Sequence, residues 1–487
     1  MERSTSAGGG GRRTRPAAHE LARYEGLFAA RTQGMKSSAM REMMALTERP
    51  DVISLAGGLP DTSTFAPELY AKLMAQVAGE TARALQYGPT EGMAATVGCI
   101  VEVMAREGTR VDPADVVVTT GGQQVIDLAC KTLIDPGDVI VAEAPTYPGA
   151  IPTFSAYQAE VEQIEIDADG MPIDALESTL DRLQADGRRP KFIYTIPNFQ
   201  NPGGVTMSLA RRRRLIEVAR ERELLVLEDN PYGLLRYEGE PLPTLYSLDA
   251  EAVGRGGASD LVIYLGTFSK ILSPGLRLGW AVAPRPVVEK LNLGKQGADL
   301  CSSPVTQMFV AAYFAEPGIE GHPPGPAWIE YVERLKQLYR RRRDVMLEAL
   351  EEHFGGRASW TRPQGGLFIW ATLDGGVDTT DLLARAEGVA FVPGRAAYMD
   401  GRRGSSSMRL NFAGVPDEDI REGIRRIGRI MSGDTGLLGT LTGSPPERSG
   451  ATEQQLPVED GTPLADVVAL PRRDAESSRS ARRRRDR

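Results

Sequence analysis

Short apolar runs that rarely alternate with polar residues recur through the middle of the chain. Seven of them are rich in Val, Ile and Leu: Val116 to Thr120, Val139 to Glu143, Glu162 to Ile166, Phe192 to Ile196, Leu224 to Glu228, Leu261 to Gly266 and Leu278 to Ala283. Continuous apolar runs of this length are typical of strands that are buried on both faces of a sheet. The pattern therefore predicts seven strands in one sheet.

Amphipathic segments with a helical period separate several of these runs, for example Gln123 to Leu133 and Leu209 to Arg222. Alternation of strands and helices is the signature of a mostly parallel sheet with crossover helices. The pattern predicts an α/β fold, with a large domain over residues 65–327.

A different pattern follows this region. Apolar residues recur at spacings of three and four from Trp328 to Phe354, which predicts one long helix. Two short strands and a closing helix come next: Leu367 to Thr372, Met408 to Phe412 and Asp417 to Met431. We interpret residues 328–432 as a smaller α+β domain, to which residues 21–64 add an N-terminal segment.

Both ends of the chain change in composition. Residues 1–20 are rich in Gly and Arg, and residues 433–487 are rich in Ser, Gly, Pro, Glu and Arg. Such segments lack the apolar residues needed for a core, so we predict disordered tails. The basic run Arg482 to Arg485 suits a solvated tail better than a contact with RNA or an acidic partner. Two further runs, Arg211 to Arg214 and Arg340 to Arg343, fall on predicted helices, and we interpret them as solvated faces.

Composition narrows the classes of function. The net charge of −8 does not indicate nucleic-acid binding. The three cysteines are far apart and form no CxxC pair, and no two of the three histidines share a metal-ligand spacing. We therefore expect no disulfide framework, no metal site and no Ser-His-Asp hydrolase. No apolar run reaches the ~18 residues of a membrane-spanning helix, and no signal peptide is visible, so we expect a cytoplasmic protein.

Candidate chemistry lies where two predicted strands end. Lys270 follows one strand, between Thr267, Ser269 and Arg277, and Asp229 follows another. Pyridoxal phosphate (PLP) needs an amine for its aldehyde, a carboxylate for its ring nitrogen, and cations and hydroxyls for its phosphate. A solvated loop and a helix cap would explain the same residues, and the two segments alone leave these explanations about equally good.

Other loops strengthen the case for a cofactor. Gly121, Gly122 and Gln123 leave a strand and open a helix, where backbone N–H groups bind an anion. Tyr147 and the loop from Pro197 to Gly204 follow two more strands. Ligands of such sheets bind at the carboxyl ends of the strands, so we expect all these groups to meet at one edge.

Together these segments resemble the fold-type I PLP-dependent aminotransferases of class I/II, most closely the 2-aminoadipate/kynurenine branch. The resemblance covers roughly residues 35–432. It rests on these motifs: Ser54 to Pro60, Tyr87-Gly88, Gln200 to Gly204, Glu228 to Tyr232, Thr267 to Lys270, Gly365 to Phe368 and Arg409 to Phe412.

The resemblance implies a role for each matching residue. Lys270 would bind the cofactor covalently and then act as the general base, and Asp229 would pair with the ring nitrogen. Asn201 and Tyr232 would bind the cofactor's phenolic oxygen, and Tyr147 would stack on its ring. The phosphate would be held by Gly121, Gly122, Gln123, Thr267, Ser269 and Arg277.

Substrate and partner follow from the same resemblance. Arg409 matches the arginine that binds the substrate α-carboxylate, with Asn201 and Gly58 also at the substrate. Tyr87 matches the tyrosine that reaches the phosphate from a partner subunit, which implies a homodimer. Arg41 matches an arginine that meets an acidic substrate side chain in this branch. A surface arginine on an amphipathic helix would explain Arg41 equally well from sequence alone.

Two departures from the family pattern stand out. Gly122 replaces a common serine, so the turn lacks one hydroxyl for the phosphate. Gly318 to Ala327 is long and rich in proline, and its shape is not predictable.

The predicted activity is amino transfer between an L-amino acid and a 2-oxoacid, with 2-oxoglutarate as the expected acceptor. The donor is open among 2-aminoadipate, aromatic and branched-chain amino acids. A PLP-dependent lyase or decarboxylase would use the same lysine. A PLP-binding regulator is less favoured, because only about 34 residues precede the matched region, whereas a winged helix needs ~60.

Overall fold

The computed structural model describes residues 24–35, 51–254, 258–317, 326–386 and 388–442. The strands in these ranges are β1 Ile53–Ser54, β2 Val116–Thr119, β3 Val139–Ala144, β4 Glu160–Glu165, β5 Pro190–Thr195, β6 Leu225–Asp229, β7 Val262–Thr267, β8 Gly279–Val282, β9 Ala358–Trp360, β10 Phe368–Leu373, β11 Val389–Ala390, β12 Val392–Pro393 and β13 Ser407–Asn411.

The α-helices in the same ranges are α1 Pro67–Gly79, α2 Thr81–Ala84, α3 Ala94–Arg106, α4 Gly122–Leu133, α5 Ile151–Ala156, α6 Ile173–Ala185, α7 Leu209–Glu221, α8 Leu245–Val253, α9 Arg285–Gln296, α10 Pro304–Ala315, α11 Ala327–Phe354, α12 Thr379–Arg385 and α13 Asp417–Thr442. No helix within the described ranges is long and apolar enough to cross a membrane.

Seven strands form the central sheet, in the order β2-β8-β7-β6-β5-β3-β4. Only β8 is antiparallel to its neighbours, β2 and β7, and the remaining pairs are parallel. The predicted seven-stranded, mostly parallel sheet is therefore confirmed. Because β2, β3, β5, β6 and β7 run in the same direction, the loops after them leave from one edge.

Helices cover both faces of this sheet, which is why its strands are apolar on both sides. On one face, Leu227 and Leu265 pack against Ile126 of α4 and Phe154 of α5. On the other face, Val226 and its neighbours pack in a larger core with α3, α6, α7 and α11. Successive residues of β6 alternate between these cores. Polar side chains on neighbouring strands therefore meet only if they point to the same face of the sheet.

Two smaller sheets come from the rest of the chain. β12, β13, β10 and β9 form an antiparallel sheet in that order, and β1 pairs in parallel with β11. The pair β1–β11 joins the start of the described chain to its C-terminal part. All of these strands belong to one compact unit that ends at Thr435, and a second unit begins at Gly436.

The expectation that the two arginine runs lie on solvated faces is wrong for three of their residues, which are buried. Arg212, Arg342 and Arg343 are 0 %, 6 % and 4 % exposed. Arg212 donates hydrogen bonds to the carbonyl oxygens of Met207, Pro197 and Pro243 and to Asn198 Oδ1, at 2.7–2.9 Å. A guanidinium has five donors, so it can be buried where several loop carbonyls converge.

The C-terminal tail also differs from the prediction at its start. The closing helix does not stop at Met431 but continues to Thr442, through glycines that suggested a break. Glycine weakens a helix interior by only ~1 kcal/mol, and extending an existing helix is easier than starting one. Residues 1–23, 318–325 and 443–487 lie outside the described ranges, and so does most of the predicted disorder.

Candidate active site

The loops at the carboxyl edge of the central sheet surround an open cavity. Its empty volume is about 640 Å³, including solvent at its mouth. The cavity is lined by Gly122, Gln123, Ile126, Tyr147, Ile196, Asn201, Asp229, Pro231, Tyr232, Leu265, Thr267, Ser269, Lys270, Pro274 and Arg277. The convergence expected from the strand ends is therefore present.

Lys270 lies just after β7, and its amine is directed across the cavity. Its Nζ donates a hydrogen bond to the carbonyl oxygen of Gly58, at 2.6 Å. Burial, helped by the positive charges of Arg409 and Arg277, lowers the pKa of Lys270 to about 8. An amine with this pKa is partly uncharged near neutral pH, so it can act as a nucleophile and a base.

Asp229 is the last residue of β6 and faces the cavity from below. It is only 5 % exposed, and its Oδ2 accepts a hydrogen bond from the Tyr194 hydroxyl at 2.6 Å. Burial raises the pKa of Asp229 to about 7; the Tyr194 hydrogen bond lowers it and the negative charge of Glu143 raises it. A buried carboxylate with few partners is well suited to meet a cationic ring nitrogen.

An anion site is built where β2 turns into α4. Gly121 has a positive φ of 82°, and a Cβ there would lie 2.3 Å from Arg277 Nη2. The glycine therefore lets the guanidinium approach the N-terminus of α4, where N–H groups attract anions. Across the turn, Thr267 Oγ1 donates to Ser269 Oγ at 2.9 Å, and Arg277 Nη1 reaches Ser269 Oγ at 3.4 Å.

Two residues of this turn contribute through the backbone rather than through side chains. A Cβ on Gly122 would lie 2.8 Å from Leu265 Cδ2, so even a serine Cβ would require Leu265 to shift. The Gln123 side chain donates to Gly149 O at 3.0 Å and to Thr153 Oγ1 at 2.8 Å. Its side-chain amide is thus engaged by α5 and the loop before it, so the group of Gln123 that can meet an anion is its main-chain N–H in the first turn of α4.

Next to the cavity lies a buried arginine, which is hydrogen-bonded to the lining residue Asn201. Arg409 is 1 % exposed; its Nη1 donates to Asn201 Oδ1 at 3.0 Å and its Nη2 to Ala56 O at 2.6 Å. Asn201 Nδ2 in turn donates to the Tyr232 hydroxyl at 3.3 Å. Burial lowers the pKa of Arg409 to about 10, which keeps it charged at neutral pH. A fixed guanidinium of this kind suits a carboxylate.

Three predicted residues need separate comment. Tyr147 lines the cavity, and burial raises the pKa of its phenol. Tyr87 is 77 % exposed and does not line the cavity of its own chain. Arg41 lies outside the described residues.

The sequence reasoning missed Tyr194 and Glu143, which lie beneath the cavity. Both are polar residues near the end of a buried strand, and each is followed within a few residues by a predicted site loop. Glu143 accepts hydrogen bonds from the Thr195 hydroxyl and from Ile196 N. A polar side chain in an otherwise apolar, fully buried strand was the available signal.

Comparison with known proteins decides the family. The model of the family described as Aminotransferase class I and II matches residues 50–427. The chain belongs to this family. It is 44 % identical over 412 residues to aromatic-amino-acid aminotransferase 1 of Thermococcus litoralis, covering 84 % of this chain and 94 % of that protein.

Two further matches come from Thermus thermophilus. Its 2-aminoadipate transaminase is 39 % identical over 407 residues, covering 83 % of this chain and 96 % of that protein. The crystal structure of LysN, an α-aminoadipate aminotransferase complexed with N-(5'-phosphopyridoxyl)-L-leucine, superposes with a TM-score of 0.76 at 37 % identity, covering 85 % of this chain and 99 % of that one. The fold is fold type I, and the lyase, decarboxylase and regulator alternatives are not favoured.

PLP is the cofactor of this aminotransferase, and the cavity fits it. The fit rests on three features: a lysine amine with a lowered pKa, a buried carboxylate, and an anion site formed by Gly121, α4 and Arg277. Among the described residues, no group of three or more His, Cys, Asp or Glu side chains is arranged to bind a metal ion.

Proposed function

We propose that this aminotransferase carries PLP on Lys270 and transfers amino groups to 2-oxoglutarate from a donor that is 2-aminoadipate, an aromatic or a branched-chain amino acid. The observation that carries the proposal is that Lys270 and Asp229 line one cavity, where Arg409 is hydrogen-bonded to the lining residue Asn201 and its charge acts on the Lys270 amine. An amine for the cofactor, a carboxylate for its ring and a guanidinium for the substrate are thus available together.

Lys270 is the proposed base of the reaction. When bound, PLP supplies a ring that withdraws electrons and so stabilises negative charge on the substrate α-carbon. The Lys270 amine would take the proton from that carbon. Because burial, together with two nearby arginines, lowers its pKa to about 8, the amine is available in its uncharged form.

The remaining proposed contacts hold cofactor and substrate in place. The N–H groups of Gly121, Gly122 and Gln123 and the side chains of Thr267, Ser269 and Arg277 bind the phosphate. Asn201 and Tyr232 bind the phenolic oxygen, and Tyr147 covers the ring. Arg409 binds the substrate α-carboxylate, with Asn201 and Gly58 beside it. Arg409 keeps its position because Asn201 and Ala56 hold its guanidinium.

A homodimer with shared sites is part of the proposal. Tyr87 is highly exposed in one chain, although it belongs to a motif whose tyrosine binds phosphate across an interface in this family. We propose that it completes the phosphate site of a second copy. The large domain over 65–327, the small domain over 21–64 and 328–432, and the cytoplasmic location also remain proposals.

The donor class is drawn from the relatives and from Arg41. The relatives named above act, by their names, on aromatic amino acids and on 2-aminoadipate. We propose that Arg41 binds the distal carboxylate of acidic donors and of 2-oxoglutarate. An apolar donor would depend on it less.

A screen of half-reactions tests the proposal. Purified holoenzyme is mixed with single amino acids in a stopped-flow spectrophotometer, and conversion of the cofactor to its amine form is followed by absorbance. Arg41→Ala should lower kcat/KM for 2-aminoadipate or glutamate at least ~10-fold more than for leucine, as expected for a desolvated charge pair. Equal losses for all donors would show that Arg41 does not read the side chain, and no conversion with any amino acid would overturn the amino-transfer proposal.

A further inference from the structure

Tyr194 is a buried phenol directly beneath the cofactor cavity. It lies on β5, where it is opposite Leu227 of β6, and it is 1 % exposed. Its hydroxyl donates to Asp229 Oδ2 at 2.6 Å, and its ring packs edge-on against Phe154, with ring centroids 5.4 Å apart. The residue thus touches the carboxylate proposed to meet the cofactor without lining the cavity itself.

We propose that Tyr194 is the positioning residue of Asp229: its hydroxyl holds the carboxylate in its ionised form, so that the shared proton resides on the ring nitrogen of PLP and not on Asp229. This inference rests on the proposed role of Asp229.

The argument is a competition for one proton. In a carboxylate–pyridine pair, the proton stays on nitrogen only while the carboxylate is the weaker base. Burial and the charge of Glu143 both make Asp229 a stronger base, and they raise its pKa to about 7. Tyr194 is the group that acts in the opposite direction, because a donated hydrogen bond stabilises the ionised carboxylate.

The surroundings keep Tyr194 a donor. Burial and the nearby charges of Asp229 and Glu143 raise the pKa of its phenol well above the usual value. Glu143 already accepts hydrogen bonds from Thr195 and Ile196 N. The Tyr194 hydroxyl is therefore protonated at working pH and is bonded to Asp229. The other titratable groups that line the cavity are Tyr147, Tyr232, Lys270 and Arg277, and Tyr147 and Tyr232 interact electrostatically with Asp229.

Loss of the hydroxyl should move the proton without changing the total charge. In Tyr194→Phe the ring and its packing on Phe154 remain, but Asp229 becomes a stronger base. The proton then leaves the ring nitrogen for the Asp229 carboxylate. A neutral nitrogen withdraws electrons less, so the chemical step slows while binding of the substrate carboxylate by Arg409 is unaffected.

The test uses holoenzyme reconstituted with PLP that carries ¹⁵N at the ring nitrogen. The nitrogen chemical shift at pH 7.5 should be that of a protonated ring in the wild type and should move towards a neutral ring in Tyr194→Phe. The same variant should lose about 10-fold or more in kcat with little change in KM, as expected for a hydrogen bond to a charged group.

A matched control comes from the neighbouring strand. Tyr264 on β7 is equally buried and donates to a partly buried carboxylate, Glu107, on the opposite face of the sheet. Tyr264→Phe should therefore leave the nitrogen shift and kcat unchanged, whatever it does to stability. A protonated-ring shift in a folded Tyr194→Phe, or the same displacement in Tyr264→Phe, would overturn the inference.

Asp229→Asn separates this inference from the proposed function. If Asp229 has its proposed role, this variant alone gives a neutral nitrogen, and adding Tyr194→Phe changes nothing further. A protonated nitrogen with normal kcat in Asp229→Asn would instead remove the proposed role of Asp229. Should Tyr194→Phe fail to fold, 3-fluorotyrosine at position 194 replaces it. The fluorinated phenol is a stronger hydrogen-bond donor, so it should keep the PLP ring nitrogen protonated to higher pH. An unchanged titration of that nitrogen would count against the role of Tyr194.

Discussion

At the scale of single residues, the uncharged fraction of Lys270 sets how fast the apoenzyme binds PLP covalently. Only a deprotonated amine attacks an aldehyde, and the pKa of Lys270 is lowered to about 8 by burial and two arginines. The rate of reconstitution should rise ~10-fold per pH unit below about pH 8 and level off above it. Stopped-flow absorbance on apoenzyme between pH 6 and 10 measures this. A rate that still rises from pH 9 to 10 would mean an ordinary lysine.

Arg409 gives a second prediction at this scale, because hydrogen bonds to Asn201 and Ala56 hold its guanidinium in place. Lysine retains the charge but cannot make the same paired hydrogen bonds. Arg409→Lys should lower kcat/KM by ~100-fold or more for every amino acid donor, as for the loss of a buried charged contact. The surface variant Arg425→Lys is the control and should change nothing. Equal activity of both variants would remove Arg409 from substrate binding.

The predictable part of the site consists of residues that follow strands. Lys270, Asn201 and Tyr232 each come just after a buried apolar run, so sequence alone places them at one edge. Tyr194 was not predicted because a phenol within a strand looks like core, and only the pairing of β5 with β6 brings it to Asp229. The hydrogen bonds of the Gln123 side chain to Gly149 and Thr153 were not predictable, because they depend on how α5 and the loop before it pack against the turn.

At the scale of secondary-structure elements, Arg212 is the side chain that joins α7 to the loops after β5 and before α8. Its guanidinium donates hydrogen bonds to the carbonyl oxygens of Met207, Pro197 and Pro243. Arg212→Met would leave these buried acceptors without donors, at a cost of ~3 kcal/mol or more.

Thermal unfolding of the holoenzyme measures this cost. Arg213, the next residue on α7, is exposed, so Arg213→Met should change stability by ~0.5 kcal/mol or less. The unfolding midpoint of Arg212→Met should therefore fall by several degrees relative to that of Arg213→Met. Equal midpoints for the two variants would contradict the structural role of the buried guanidinium.

The elements themselves were predictable to different degrees. Six of the seven central strands were predictable because strands buried on both faces are continuous apolar runs, whereas the edge strand β4 is partly exposed and carries three glutamates. The burial of Arg212 was not predictable. Residues 211–214 are all arginine, so the sequence does not show which of them lies on the buried face of the helix. The extension of α13 to Thr442 was not predictable from composition. The residues after Met431 are rich in Gly and Ser, which is typical of a tail, although an established helix can continue through them.

At the scale of the whole molecule, Tyr87 predicts that two chains build each site. Lys270→Ala and Tyr87→Phe protomers are each expected to be poorly active. If Tyr87 acts across the interface, a mixed dimer has one site with both defects and one intact site. Activity after subunit exchange should exceed that of either parent. Verified exchange without a gain in activity would mean that Tyr87 serves its own chain or no site.

The most direct test of the account is the site of covalent attachment. The holoenzyme is reduced with borohydride, digested and analysed by peptide mass spectrometry. The account predicts one pyridoxyl group per chain, on Lys270, because that amine has a lowered pKa and lines the same cavity as Asp229. A pyridoxyl group on any other lysine, or none on Lys270 in active enzyme, would contradict it.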